Sequence, residues 1–178
     1  MPRPSFISVE QQIEKLIRVN QAGEYGAKRI YEGQIRFIKN LKDKQELQSM
    51  LAQEQVHLEY FNQQINIRKI RPTIFMPLWH VGGYIIGAGS AVFGINTAML
   101  ITDSVEEVIE KHYDQQIRYL ENTHIEKSLT TKLQAFRQDE IDHRETAIQY
   151  GTNNCINKLV KNLVKSICKS AIAISKII

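Results

Sequence analysis

Cysteine is nearly absent from this sequence. Its two copies, Cys155 and Cys168, have no histidine or cysteine partner at zinc-like spacing, which argues against a zinc site or a disulfide framework and fits a reducing compartment. No flexible linker interrupts the 178 residues, and 43% hydrophobic content supplies a sizeable core. One domain, 1–178, is expected. The net charge is only +4, and no basic patch interleaved with aromatics appears, so nucleic acid is not an expected partner. Nor does the opening Met-Pro-Arg-Pro-Ser-Phe-Ile-Ser contain the apolar stretch of a secretory signal, and it is too short for a typical transit peptide. The N-terminal region is expected to be mature and cytosolic.

Charge is missing altogether from residues 72–102. Such a length suits a transmembrane span. A complete span here would, however, put the two halves of the motif described next on opposite sides of a membrane. Gly82, Gly83, Gly87, Gly89 and Gly94 also favour tight packing or a bend over a lipid-facing rod. The expectation is an apolar helix over 72–102 that packs on a bundle and dips into a membrane interface without crossing. His80 within it is expected to be partly buried and satisfied.

What the sequence does contain is Glu-x-x-His, at Glu54 and His57 and again at Glu140 and His143. On a helix that spacing sets carboxylate and imidazole on one face, a turn apart, within reach of one metal ion. A third copy, Glu121 and His124, lies in a polar stretch that reads as a helix connection, and is assigned to the surface. The other two interrupt apolar stripes: Leu47, Met50, Leu51, Leu58, Phe61 and Ile65 around the first, Leu129, Leu133, Phe136, Ala147 and Tyr150 around the second. A carboxylate on such a stripe must be protonated, paired or bound to metal.

More carboxylates lie upstream of each copy. A first helix from about Val9 to Asn40, with Ser8 as N-cap, carries the stripe Ile13, Ile17, Asn20, Glu24, Ala27, Tyr31, Gln34 and Ile38. Gly23 and Gly26 beside Glu24 allow a helix or a ligand to come close. Residues 39–44 read as a polar turn before an antiparallel second helix running to about Ile67. Asp103 or Ser104 is expected to open a later helix with Glu106, Ile109, Glu110 and Tyr113 on one face, and periodicity does not choose between Glu106 and Glu110. Glu24 stands thirty residues before Glu54, and Glu106 thirty-four before Glu140. Two helix pairs thus each offer a Glu and then Glu-x-x-His. Four carboxylates and two imidazoles in this order are the ligand set of a carboxylate-bridged di-iron or di-manganese site in an all-α, ferritin-like four-helix bundle.

Several stretches also resemble a known family. Arg18-Val-Asn-Gln-Ala-Gly-Glu24-Tyr-Gly-Ala-Lys-Arg-Ile-Tyr31, Arg71-Pro-Thr-Ile-Phe-Met-Pro-Leu-Trp79, Val105-Glu106-Glu107 through His112-Tyr113, and Asp139-Glu140-Ile-Asp-His143 are similar to the demethoxyubiquinone hydroxylases of ubiquinone biosynthesis. The resemblance implies Glu24, Glu54, His57, Glu106, Glu140 and His143 as ligands of two iron ions, and so selects Glu106. It also implies His112 and Tyr113 near the quinone. The implied reaction is hydroxylation of the ring of a polyprenyl methoxy-methyl benzoquinol by O2. The family is associated with NADH as reductant, although no dinucleotide fingerprint is present here. Departures from the family pattern are Asn20-Gln21, Arg144 after His143, and Lys15 in place of an arginine.

A long isoprenoid tail requires contact with a membrane, and residues 156–178 fit that need. Ile156, Leu159, Val160, Leu163, Val164, Ile167 and Ala171 form an apolar face, with Lys158, Lys161, Lys165 and Lys169 on the other, as in a basic amphipathic helix on anionic lipid. The expected location is peripheral, on the cytoplasmic face of a bacterial inner membrane or the matrix side of a mitochondrial one. A lipid-presenting partner protein is an expected companion. The rival readings are a ferritin-like iron- or peroxide-handling protein and a non-catalytic membrane-anchoring helical protein.

Overall fold

The computed structural model describes residues 8–151 and 155–177, the side chains of residues 155–157 excepted. Within them the chain forms six helices and no strand: α1 (Val9–Phe37), α2 (Leu41–Arg68), α3 (Met76–Val92), α4 (Ile95–Thr123), α5 (Lys127–Gln149) and α6 (Cys155–Ser175). Ser8 caps α1 as expected, in a reciprocal pair with Gln11 that satisfies two N–H groups the helix cannot. Asn40, expected to end α1, caps α2 instead. Its side-chain oxygen accepts from the backbone N–H groups of Lys42 and Asp43 at 2.9 and 3.1 Å, so α1 stops at Phe37 and the turn shrinks to residues 38–40.

The uncharged stretch is not one helix. Gly94 adopts φ 100°, a conformation that L side chains resist, and it separates α3 from α4. Helix α4 therefore starts at Ile95 rather than at Asp103 or Ser104, which lie inside it and are buried. The reason is burial: Ala98, Met99, Leu100 and Ile101 fill the interior as the first turns of that helix. Among the described residues no helix is long and apolar enough to cross a membrane. His80 is exposed, not partly buried, with Nδ1 2.6 Å from the Tyr25 hydroxyl.

Helices α1 and α2 pack as one pair and α4 and α5 as another, with α3 laid along α1 and α6 along α4. Glycine sets the first of these outer contacts. A Cβ on Gly87 would overlap the Ile30 carbonyl, and one on Gly33 would overlap the backbone of Tyr84 and Ala88. Two of the three apolar clusters among the described residues fill the inner bundle. Ile17, Phe61, Tyr113, Leu120, Leu133 and Phe136 occupy one end, while Tyr31, Leu47, Met50, Ala98, Met99 and Ala147 occupy the other.

Helix α6 is turned differently from the amphipathic reading. Lys161 pairs with the buried Asp103, and Lys165 with Glu107 at 2.5 Å, so these two lysines face α4. Leu159, Leu163 and Ile167 stand exposed, while Val164 is buried. The acids of α4 decide the rotation, because a buried carboxylate needs a cation more than a leucine needs cover. Ile156 and Cys155 lie outside the described side chains.

Candidate metal centre

Between the two apolar clusters the four inner helices bring six ionisable side chains together. Glu24 comes from α1, Glu54 and His57 from α2, Glu106 from α4, and Glu140 and His143 from α5; none is more than 3% exposed. They form two groups, Glu24 with Glu54, His57 and Glu140, and Glu54 with Glu106, Glu140 and His143, each with its donor atoms within 4.8 Å of one another. Glu54 and Glu140 belong to both. His57 Nδ1 lies 3.6 Å from Glu24 and 3.3 Å from Glu140, and His143 Nδ1 lies 3.3 Å from Glu54 and 3.5 Å from Glu140. Glu110, which periodicity left open, turns away to Arg144 at 3.1 Å. Glu121 and His124 are exposed.

The residues behind these six repeat a two-part pattern. His57 Nε2–H donates to Asp139 at 2.9 Å, and His143 Nε2–H donates to Gln53 at 2.7 Å. Each outer nitrogen thereby holds a proton, and each Nδ1 faces the centre as a potential ligand. Tyr31 donates to Glu106 at 2.7 Å, and Tyr113 donates to Glu24. In both inner pairs, the residue before the Glu of one Glu-x-x-His reaches across to the histidine of the other. Likewise, the tyrosine seven residues after the Glu of α1 or α4 serves the Glu of the opposite helix.

Eight polar atoms turned into this space lack any hydrogen-bond partner: one oxygen each of Glu24 and Glu106, both of Glu54 and of Glu140, and Nδ1 of both histidines. Orphans are rare in protein interiors, and so many converging on one point mark a place for cations. The oxygen-rich donor set with two imidazoles fits iron or manganese. Without metal the charges compromise. Burial, reinforced by the charge of Glu140, pushes the Glu54 and Glu106 carboxyls well up toward the neutral acid. Burial opposes ionisation at Glu140 too, yet the adjacent His143 and His57 imidazoles outweigh it and hold this carboxyl down to about 2. Burial opposes an imidazolium at His57, yet the adjacent Glu140 and Glu24 carboxylates outweigh that cost and push it up to about 12.

A sequence profile of the family described as "Ubiquinone biosynthesis protein COQ7" matches residues 11–175. The chain belongs to this family. Its relatives include a protein of Dictyostelium discoideum named "NADPH-dependent 3-demethoxyubiquinone 3-hydroxylase, mitochondrial", 41% identical over 93% of this chain and 77% of that one. A Rhodospirillum rubrum protein named "3-demethoxyubiquinol 3-hydroxylase" is 37% identical over 92% of this chain and 77% of its own. A Saccharomyces cerevisiae protein named "5-demethoxyubiquinone hydroxylase, mitochondrial" is 36% identical over 90% and 76%.

In this COQ7 family member an apolar cavity of about 300 Å³ borders the helices that carry Glu24 and Glu106. It lies among α1, α3, α4 and α6, and Gly23 and Val105 in its wall directly precede Glu24 and Glu106. Tyr113 is buried against Glu24, and His112 lines a second cavity with Lys15, Gln116 and Lys176. Burial, aided by the charge of Lys176, pushes His112 down to about 4. Its Nε2 takes a hydrogen bond from Gln116, which is itself locked to Asn20 by two amide hydrogen bonds of 2.9 and 2.8 Å. Arg144 binds Asp103 and Glu110. Sequence reasoning did not assign Gln53, Asp139 or Tyr31 a place behind the centre. The signal for the first two was present, since both buried Glu-x-x-His copies are preceded by a residue with a side-chain acceptor, whereas Leu120 precedes the exposed copy.

Proposed function

We propose that this chain hydroxylates the ring of a polyprenyl methoxy-methyl benzoquinol, using two iron ions held by Glu24, Glu54, His57, Glu106, Glu140 and His143. The observation that carries the reading is an apolar cavity whose wall includes Gly23 and Val105, the residues next in sequence to Glu24 and Glu106. An iron-storing or peroxide-removing protein needs no such greasy chamber, whereas an isoprenoid quinol does. When bound, the irons supply activation of O2, one oxygen atom going to the ring and the other leaving as water with two electrons and two protons.

The chain's own residues prepare that chemistry. Glu54 and Glu140, common to both groups, would serve both metal ions, and Glu24 and Glu106 would each serve one. Asp139 and Gln53 fix the ring orientation of the histidines, while Tyr113 and Tyr31 fix the two terminal carboxylates. Apolar clusters above and below exclude bulk water.

The quinol ring enters the cavity and its tail leaves between α3 and α6, where Leu78 and Ile167 both line the cavity and stand exposed. Leu78, Val81 and Ile85 on α3 and Leu159, Leu163 and Ile167 on α6 continue this opening as apolar stripes, a surface suited to a membrane face. The two electrons come from a reduced nicotinamide nucleotide, and supplying NADH or NADPH anaerobically to the iron-loaded chain identifies which.

Replacing Glu140 by Gln removes the carboxylate shared by both groups. Quinol hydroxylation is expected to be lost and iron to fall well below about two per chain. Full turnover by a folded Glu140→Gln variant would refute the assignment.

A further inference from the structure

Trp79 is the only tryptophan of the chain. Its indole lines the apolar cavity, and Nε1 is buried with no hydrogen-bond partner in the protein. A buried N–H without an acceptor forfeits the hydrogen bond it makes to water in the unfolded chain. Phenylalanine would supply aromatic volume without that cost. An indole at this position therefore calls for an acceptor that arrives with the ligand.

The cavity has little else to recognise polarity. Apart from Trp79, only Cys168 and Ser175 bring a side-chain heteroatom to its wall. There is room beside the indole: at Gly82, one turn on, and at Gly23 and Gly26 across the cavity, nothing lies within 4 Å of where a Cβ would stand. A flat ring fits such a space, and Gly23 brings it next to Glu24. Isoprenoid tails contain no acceptor, whereas the quinol ring carries oxygens.

We propose that Trp79 selects an oxygenated ring over bare hydrocarbon, its Nε1–H donating a hydrogen bond to an oxygen of the quinol head group. This role rests on the reading of the cavity as the quinol site. It adds a specificity-determining residue to that reading.

With a single tryptophan, the full chain loaded with diamagnetic zinc gives one indole N–H resonance. Titration with a short-tailed methoxy-methyl benzoquinone is expected to move it downfield and slow its exchange with water. A prenyl hydrocarbon of equal length should shift the amide resonances of Gly23 and Gly26 but leave the indole N–H near its free position. If the quinone shifts Gly23 and Gly26 without moving the indole, or if both ligands move it alike, the role of Trp79 is overturned and the cavity reading stands. If the quinone shifts nothing in the cavity, both fall. In Trp79→Phe, quinone affinity should drop about three- to tenfold, with hydrocarbon affinity unchanged and the melting temperature equal or higher. Unchanged quinone affinity with a lowered melting temperature would assign the indole to packing.

Discussion

Two histidines of the same motif are held by different acceptors, and that difference separates the two halves of the centre. His57 donates to the carboxylate of Asp139, His143 to the neutral amide of Gln53. A carboxylate makes the imidazole behind it a stronger donor to metal. Asp139→Asn keeps an acceptor for the N–H, so the fold should survive while metal binding weakens by about tenfold; competition against a chelator measures it. Protons at the centre give a second expectation. In the metal-free protein His57 is raised to about 12, and Glu54 and Glu106 are raised as well, so all three hold protons that a metal must displace. The raised His57 stabilises the metal-free fold fully below its unfolded value, about 6.5, and loses that contribution as pH rises toward 12. Metal binding runs the other way. Affinity should increase with pH, with proton release visible as a dependence of the binding heat on the buffer's ionisation enthalpy.

Among the elements, the α1–α3 contact depends on backbone approaching backbone. Gly87 has no room for a Cβ against Ile30, so Gly87→Ala should push α3 off α1 and cost about 1–3 kcal/mol in chemical denaturation. Gly82→Ala, facing open space, should cost far less. Sequence periodicity found the buried faces of α1, α2 and α5 because their stripes are long, and every member of the α1 stripe from Ile13 to Ile38 is buried. It misplaced the start of α4, because an uncharged run carries no alternation of polar and apolar positions from which to find a boundary. Only the positive φ of Gly94 marks that break. The orientation of α6 was hidden for a different reason: a row of lysines looks alike whether it meets lipid or, as for Lys161 and Lys165, the acids of α4.

At the scale of the whole molecule, α3 and α6 each expose an apolar stripe with one member, Leu78 or Ile167, in the cavity wall, and the exposure is large, 62% at Ile85 and 63% at Leu163. On the proposed reading of this surface as a membrane face, with Lys161 and Lys165 engaged by Asp103 and Glu107, lipid attraction should depend more on these apolar residues than on charge. An Ile85→Ser, Leu163→Ser double variant is expected to lose most binding to anionic vesicles in a flotation assay. Raising salt on the unaltered chain should weaken binding only modestly. Unchanged flotation by the double variant would remove these stripes from the membrane face.

The sequence by itself determined that four carboxylates and two imidazoles lie on buried helical faces, since helical periodicity and the cost of burying charge act locally and leave a readable pattern. The choice of Glu106 over Glu110 needed either the family resemblance or the fold. What only the tertiary structure decided is how those faces meet: the crossing of Asp139 to His57, of Gln53 to His143 and of Tyr31 to Glu106, and the apolar cavity that puts Trp79 in one wall with Gly23 and Val105. Those contacts join residues 75 to 90 positions apart in sequence, from Tyr31 and Glu106 at 75 to Gln53 and His143 at 90. No local pattern encodes them, because they depend on the rotation and level at which whole helices pack.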